Sequence, residues 1–139
     1  MRPVVVFDTN ILIASLIVRT APPAQLYDAW KERRLTLVTS EEQLAEFARV
    51  SRSPRVRRFF ARAEAGRLVN ELRAVASVLR RLPSVTVSSD SSDDFLFAMV
   101  EAGQADYLVT GDKSGVLAVR RYGKARIVSA RQMVEILGR

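Results

Sequence analysis

The sequence predicts an α/β fold, a mostly parallel central sheet with helices on both faces. Three observations carry that expectation. Short runs at Val4–Phe7, Leu35–Thr39, Tyr107–Thr110 and Arg126–Val128 are rich in Val, Leu or Ile, and each is followed by Asp, Ser, Thr or Gly. They have no polar face, which suits strands buried on both sides. Helix-length stretches separate them, and strands alternating with helices imply parallel pairing. At 139 residues, with no repeat or linker to divide it, the chain reads as one domain spanning residues 1–139.

Taken in order, Val4–Phe7 is the first strand and Asp8 stops it. The apolar stretch Ile11–Val18 is interrupted by Ser15 and is far too short to cross a bilayer. Pro22-Pro23 introduces a helix over Ala24–Arg34, since proline is tolerated in a first helical turn. After Leu35–Thr39, Ser40-Glu41-Glu42-Gln43 has the Ser-x-x-Gln spacing of a capping box. The helix it opens sets Leu44, Phe47 and Ala48 on one face. Val56–Leu82 is long, Arg-rich and broken by Gly66, and reads as two helices. Val85–Val87 is a weaker fifth strand candidate. A helix over Ser92–Ala102 turns Phe95, Ala98, Met99 and Ala102 inward, a short helix follows Gly111, and Ala130–Leu137 is the last helix.

Composition narrows the chemistry. Apolar residues make up 48% and charged residues 27%, the balance of an ordinary globular protein. There is no cysteine and no histidine, which removes thiolate chemistry, a Ser-His pair, a His-ligated zinc and a histidine base. Carboxylates, lysines, hydroxyls or a bound metal are what is left. The 22 Lys and Arg against 15 Asp and Glu give a net charge of +7, which favours a polyanionic partner, chiefly nucleic acid. Without a charged leader and cleavage site the sequence reads as cytoplasmic, with no membrane association.

The acidic residues point the same way. Asp8 directly follows the first strand, and Asp112 follows Tyr107–Thr110 through one glycine. Asp93 and Asp94 open the helix leading into that same strand, and Glu46 lies in the helix after Leu35–Thr39. In parallel α/β folds such positions gather beyond the carboxyl ends of the strands. Carboxylates packed together repel one another until protons or cations neutralise them. An oxygen-only donor set selects hard ions, Mg²⁺ or Mn²⁺, which activate water and offset charge on a phosphodiester. Each residue also has a plainer reading: Asp93 or Asp94 as helix caps, Asp112 as a turn residue, Glu46 as a surface charge. Asp8 is harder to explain that way, because a charge ending a buried strand is costly without a partner.

Four blocks, in order, resemble the PIN-domain nucleases. They are Val5-Val6-Phe7-Asp8-Thr9-Asn10-Ile11-Leu12, Ser40–Phe47, Asp90 with Asp93-Asp94 and the adjoining helix, and Ala105–Asp112. The branch most similar is the prokaryotic group of toxin–antitoxin toxins. The resemblance implies a Rossmann-like PIN fold, dependence on Mg²⁺ or Mn²⁺, and frequent homodimers. Asp8, Glu46 and Asp112 match metal carboxylates of the family. The remaining one is Asp93 when counted back from Ala105 and Asp94 when counted back from Asp112, and both stay open. Asn10 matches a position that hydrogen-bonds within the site, Thr110 a hydroxyl supporting the ligands, and Asp90 an acidic supporting position. Two departures stand out: Lys113-Ser114-Gly115-Val116-Leu117 after Asp112, and Ser129-Ala130-Arg131 where the family often has proline.

The expected function is therefore a metal-dependent endoribonuclease, the toxin of a pair with an antitoxin protein as partner. The arginines Arg49, Arg52, Arg55, Arg57 and Arg58 are the expected contacts to the RNA backbone, since a guanidinium fork matches phosphate. The competing readings are a non-catalytic RNA- or partner-binding domain and a haloacid-dehalogenase-like phosphatase. The phosphatase needs a second carboxylate two residues after the first, where this chain has Asn10.

Overall fold

The run Val4–Phe7 can bury both faces, and it takes the middle of a six-stranded sheet as β1. The structure is a computed structural model that describes residues 2–111 and 114–138, Ser114 by its backbone only. β1 pairs in parallel with β2 (Thr36–Ser40) on one side and β4 (Tyr107–Thr110) on the other. Beyond β2 lies β3 (Ser77–Leu79), and beyond β4 lies β6 (Ala125–Ser129), both parallel to their neighbours. β5 (Arg121–Tyr122) closes the β6 edge antiparallel, giving the order β3-β2-β1-β4-β6-β5. The expected α/β class, with a mostly parallel sheet covered on both faces, is the class observed.

Alternation along each strand divides the core in two. Val5, Phe7, Leu37, Val109 and Val128 face α1 (Thr9–Ser15), α2 (Pro22–Lys31), α3 (Glu41–Ser51), α4 (Arg62–Val75) and α7 (Ala130–Leu137). Val6, Val38, Leu108 and Ile127 face α5 (Asp94–Gly103) and α6 (Ser114–Leu117). Each fully buried Val, Leu or Phe adds about 1.5–3 kcal/mol, so these two layers supply the main driving force. α5 lies close to the sheet: a Cβ on Gly103 would come within 2.9 Å of Val38 Cγ1.

Several expectations change. The Arg-rich stretch does not break at Gly66; α4 runs through it, because its buried residues Ala65, Leu68 and Leu72 hold the helical period on both sides. The chain leaves the helix at Ala76, and Ser77–Leu79 becomes β3 by pairing with the open edge of β2. Val85–Val87 is not a strand. Val85 and Val87 pack on the second core layer, while the Val87 N–H is taken by Asp94. In α5 the buried residues are Leu96, Phe97, Ala98, Met99 and Val100, whereas Phe95 is half-buried and Ala102 exposed. The apolar stretch after Asp8 forms α1, which the sequence reading did not assign to a helix. Among the described residues no helix is long and apolar enough to cross a membrane.

Candidate active site at the carboxyl edge of the sheet

From β1 the chain builds outward through β2 to β3, then crosses to the other side of β1 to lay down β4. That reversal opens a crevice between the carboxyl ends of β1 and β4, the place where doubly wound sheets receive ligands. Asp8 stands on the β1 side and Thr110 on the β4 side. Both are buried, at 1% and 0% exposure, and the Thr110 hydroxyl donates to Asp8 Oδ2 at 2.8 Å. The other carboxylate oxygen, Oδ1, accepts the Asn10 main-chain N–H at 3.1 Å and so caps α1. Asn10 thus serves Asp8 through its backbone, and its side chain is exposed. A cap alone does not account for so deeply buried a charge, because short surface helices are capped as well from the solvent edge.

The helix that carries Glu46 is fixed by Gln43, which the sequence predicts only as a capping-box partner. Ser40 caps α3 by accepting the Gln43 N–H at 3.0 Å, but the Gln43 side chain does not return to complete the box. Instead it is buried. Its Nε2 donates to the Phe7 carbonyl at 2.6 Å and to Thr9 Oγ1 at 3.4 Å, and its Oε1 accepts from Thr39 Oγ1 at 2.7 Å. Gln43 therefore clamps α3 to the two residues flanking Asp8. Glu46 sits one turn further along the same helical face, half-buried, with Arg49 at 3.9 Å. The only sequence signal for the clamp was a glutamine among apolar neighbours on an inward face.

Asp93 and Asp94 separate in role. A single 3₁₀ turn, Ser91–Asp93, precedes α5, and Asp90 caps it by accepting from Ser92 N at 3.0 Å and Ser92 Oγ at 2.7 Å. Asp93 ends that turn and is 8% exposed. Asp94 Oδ1 accepts two main-chain N–H groups, Val87 at 3.1 Å and Ser88 at 2.8 Å, which fastens the incoming loop to the start of α5. Asp112 lies outside the described residues. Among the described residues no three carboxylates stand close enough together to hold one ion.

The donors along this edge are oxygen only, the chemistry that suits Mg²⁺ or Mn²⁺. Such ions are commonly held by one or two carboxylates, with waters and substrate oxygens completing the shell. On the flank, Arg73 grips Glu41 with two hydrogen bonds of 2.9 and 3.0 Å, and these hold the Glu41 carboxyl below its usual range. Arg49, Arg52, Arg55, Arg57 and Arg58 are exposed on the end of α3 and the connection to α4.

A family model described as the PIN domain matches residues 4–114, from the first residue of β1 to the first residue of α6. The chain belongs to the PIN-domain family. The PIN match contains each carboxylate considered above, Asp112 included. PIN domains have a nuclease-type fold and are generally hydrolases that act on nucleic acids, typically with divalent metals such as Mg²⁺ or Mn²⁺. No curated protein and no solved structure matches the chain.

Proposed function

We propose that the whole chain works as one metal-dependent endoribonuclease unit, and that it is the toxin of a toxin–antitoxin pair. The observation that carries the reading is the buried Asp8 carboxylate, held by Thr110 and the Asn10 N–H at the β1–β4 crevice. A desolvated carboxylate kept in one orientation suits a ligand better than a surface charge does. Asp8, Glu46, Asp93 and Asp112 are the proposed ligands of Mg²⁺ or Mn²⁺, with Thr110 and Asp90 supporting them. Asp94, also matched to the family, is assigned to fastening the loop. When bound, the ion supplies a Lewis acid that makes water a better nucleophile and offsets charge on the phosphodiester.

The chain's own residues do the rest. Thr110 and Asn10 fix the Asp8 oxygens, Gln43 sets the height of α3 over the crevice, and Asp90 shapes the turn that carries Asp93. Arg49, Arg52, Arg55, Arg57 and Arg58 hold the RNA backbone, which makes affinity fall steeply with salt. With no histidine in the chain, proton transfer falls to carboxylates and water. The proposed assembly is a homodimer in the cytoplasm that an antitoxin protein silences.

The test is cleavage of single-stranded RNA with Mg²⁺, with Mn²⁺ and with chelator, comparing wild type with Asp8→Asn and Glu46→Gln. Metal-dependent cutting that both substitutions abolish is expected; cutting that survives Asp8→Asn removes the assignment. For the toxin role, expression in a bacterial host should arrest growth and Asp8→Asn should relieve the arrest. Normal growth with wild-type protein accumulating would end that part of the proposal.

A further inference from the structure

Beyond the end of α3, the connection to α4 encloses a cleft of about 650 Å³. Its floor is apolar, with Phe60 and Ala65 both buried. Arg52, Arg57, Arg58 and Arg62 rim it, all exposed. None of these four arginines has an ion pair among the described residues, so no neighbouring carboxylate offsets the charge on the rim. Like charges gathered around one hollow repel, so the arrangement is relieved when an anion enters. The volume falls in the range of small-molecule sites and is far more than a lone phosphate fills. A flat ring joined to a phosphate uses both features: the ring lies on the apolar floor and the phosphate meets the guanidinium forks.

The cleft also adjoins a hollow that runs towards Glu46 along α3. This second hollow of about 390 Å³ shares Arg52, Arg62 and Ala65 with the cleft and reaches back along α3 to Phe47 and Ala48. Gly66 lines that second hollow, and a Cβ there would meet nothing within 4 Å. From Glu46 to Arg52 the helix rises only about 9 Å, so the cleft lies a few nucleotides at most from the proposed metal ligands.

We propose that this cleft takes the base and 5′-phosphate of one unpaired nucleotide of single-stranded RNA, next to the phosphodiester that is cut. The proposal rests on the nuclease reading above and deepens it: the substrate must present an unstacked base, so duplex RNA is excluded. In a duplex the base faces are stacked and cannot enter such a hollow.

The experiment measures binding in chelator by fluorescence anisotropy, using a labelled unstructured oligoribonucleotide, its duplex, and a strand of equal length made of base-free ribose phosphates. Wild type should prefer the base-bearing strand to the base-free one by about tenfold. Arg57→Gln combined with Arg58→Gln should bring that ratio towards one. Both positions are exposed, and circular dichroism checks the fold. If the double variant weakens both strands equally and leaves the ratio intact, the arginines touch phosphate only and the proposal is overturned. Equal affinity for duplex and single strand overturns it too. Independently, uridine 5′-monophosphate should shift the NMR signals of the Ala65 methyl and Phe60 ring, and inorganic phosphate should not. Identical shifts with both probes would count against a base site. Cleavage of the same oligomer with Mn²⁺ keeps the two claims apart: cutting without base preference sinks the cleft alone, and base preference without cutting sinks the nuclease reading alone.

Discussion

Replacing Thr110 with valine removes one hydroxyl from a fully buried position and leaves the side-chain volume almost unchanged. That hydroxyl donates to Asp8 Oδ2 at 2.8 Å, and both residues are buried. A hydrogen bond to a charged partner contributes about 1.5–3 kcal/mol, and valine leaves the carboxylate oxygen facing a methyl group instead. We expect metal-free Thr110→Val to be less stable by about 2 kcal/mol at neutral pH, a fall in Tm of roughly 6–10 °C for a domain of this size. Thr110→Ser keeps the donor and gives up only a buried methyl, about 1 kcal/mol, so it should lie between the two. Urea and thermal unfolding in chelator, with Asp8→Asn as the second edge of a double-mutant cycle, measures the coupling directly. Thr110→Val as stable as wild type, or a coupling near zero, would refute the idea that the hydroxyl holds Asp8 in place.

Asp94→Asn retains the Oδ1 acceptor and should keep Mn²⁺ affinity near wild type, whereas Asp93→Asn should lose about tenfold or more; equal losses would make Asp94 a ligand after all. Asp94→Ala should expose the Val87 and Ser88 amides to hydrogen exchange without that loss of affinity. Gly66→Ala, within α4 and with open space at its Cβ, should gain about 1 kcal/mol in unfolding experiments. Gly103→Ala drives a methyl against Val38 and should lose about 1–3 kcal/mol. Burial first, and then the hydrogen bond to Glu71, push the Tyr27 hydroxyl up to about 12 from an ordinary 10.0. Its folded pKa is the higher one, so its stabilising effect is complete below pH 10 and is lost as pH rises towards 12. Tyr27→Phe should flatten that alkaline limb, as followed by phenolate absorbance and unfolding.

How far the sequence could be read depended on how local the cause was. β1, β2, β4 and β6 were legible within about a residue because each is a run that no one-faced helix would produce. α7 was legible through Ser129, which caps it in a full box with Gln132 in place of the family's proline. β3 was not, since Ser77-Val78-Leu79 has no strand pattern of its own and is recruited by the free edge of β2. Within the candidate site, Asp8 stood out by its position at a strand end, whereas Thr110 was singled out only through the family resemblance. Gln43 looked like a capping partner, and only the fold turns its amide inward to Phe7. Asp93 and Asp94 were indistinguishable as neighbours in sequence; they differ because the loop at Val87–Ser88 comes back to one of them.

The crossing of the chain from β3 to β4 has a consequence for how the protein is made. The two walls of the crevice lie 102 positions apart, so the β4 wall is synthesised long after the β1 wall. A nascent chain on the ribosome that ends anywhere before Thr110 has Asp8 without its hydroxyl partner and β1 without its β4 neighbour. On the proposed ribonuclease reading, no cutting can begin until synthesis has passed Thr110.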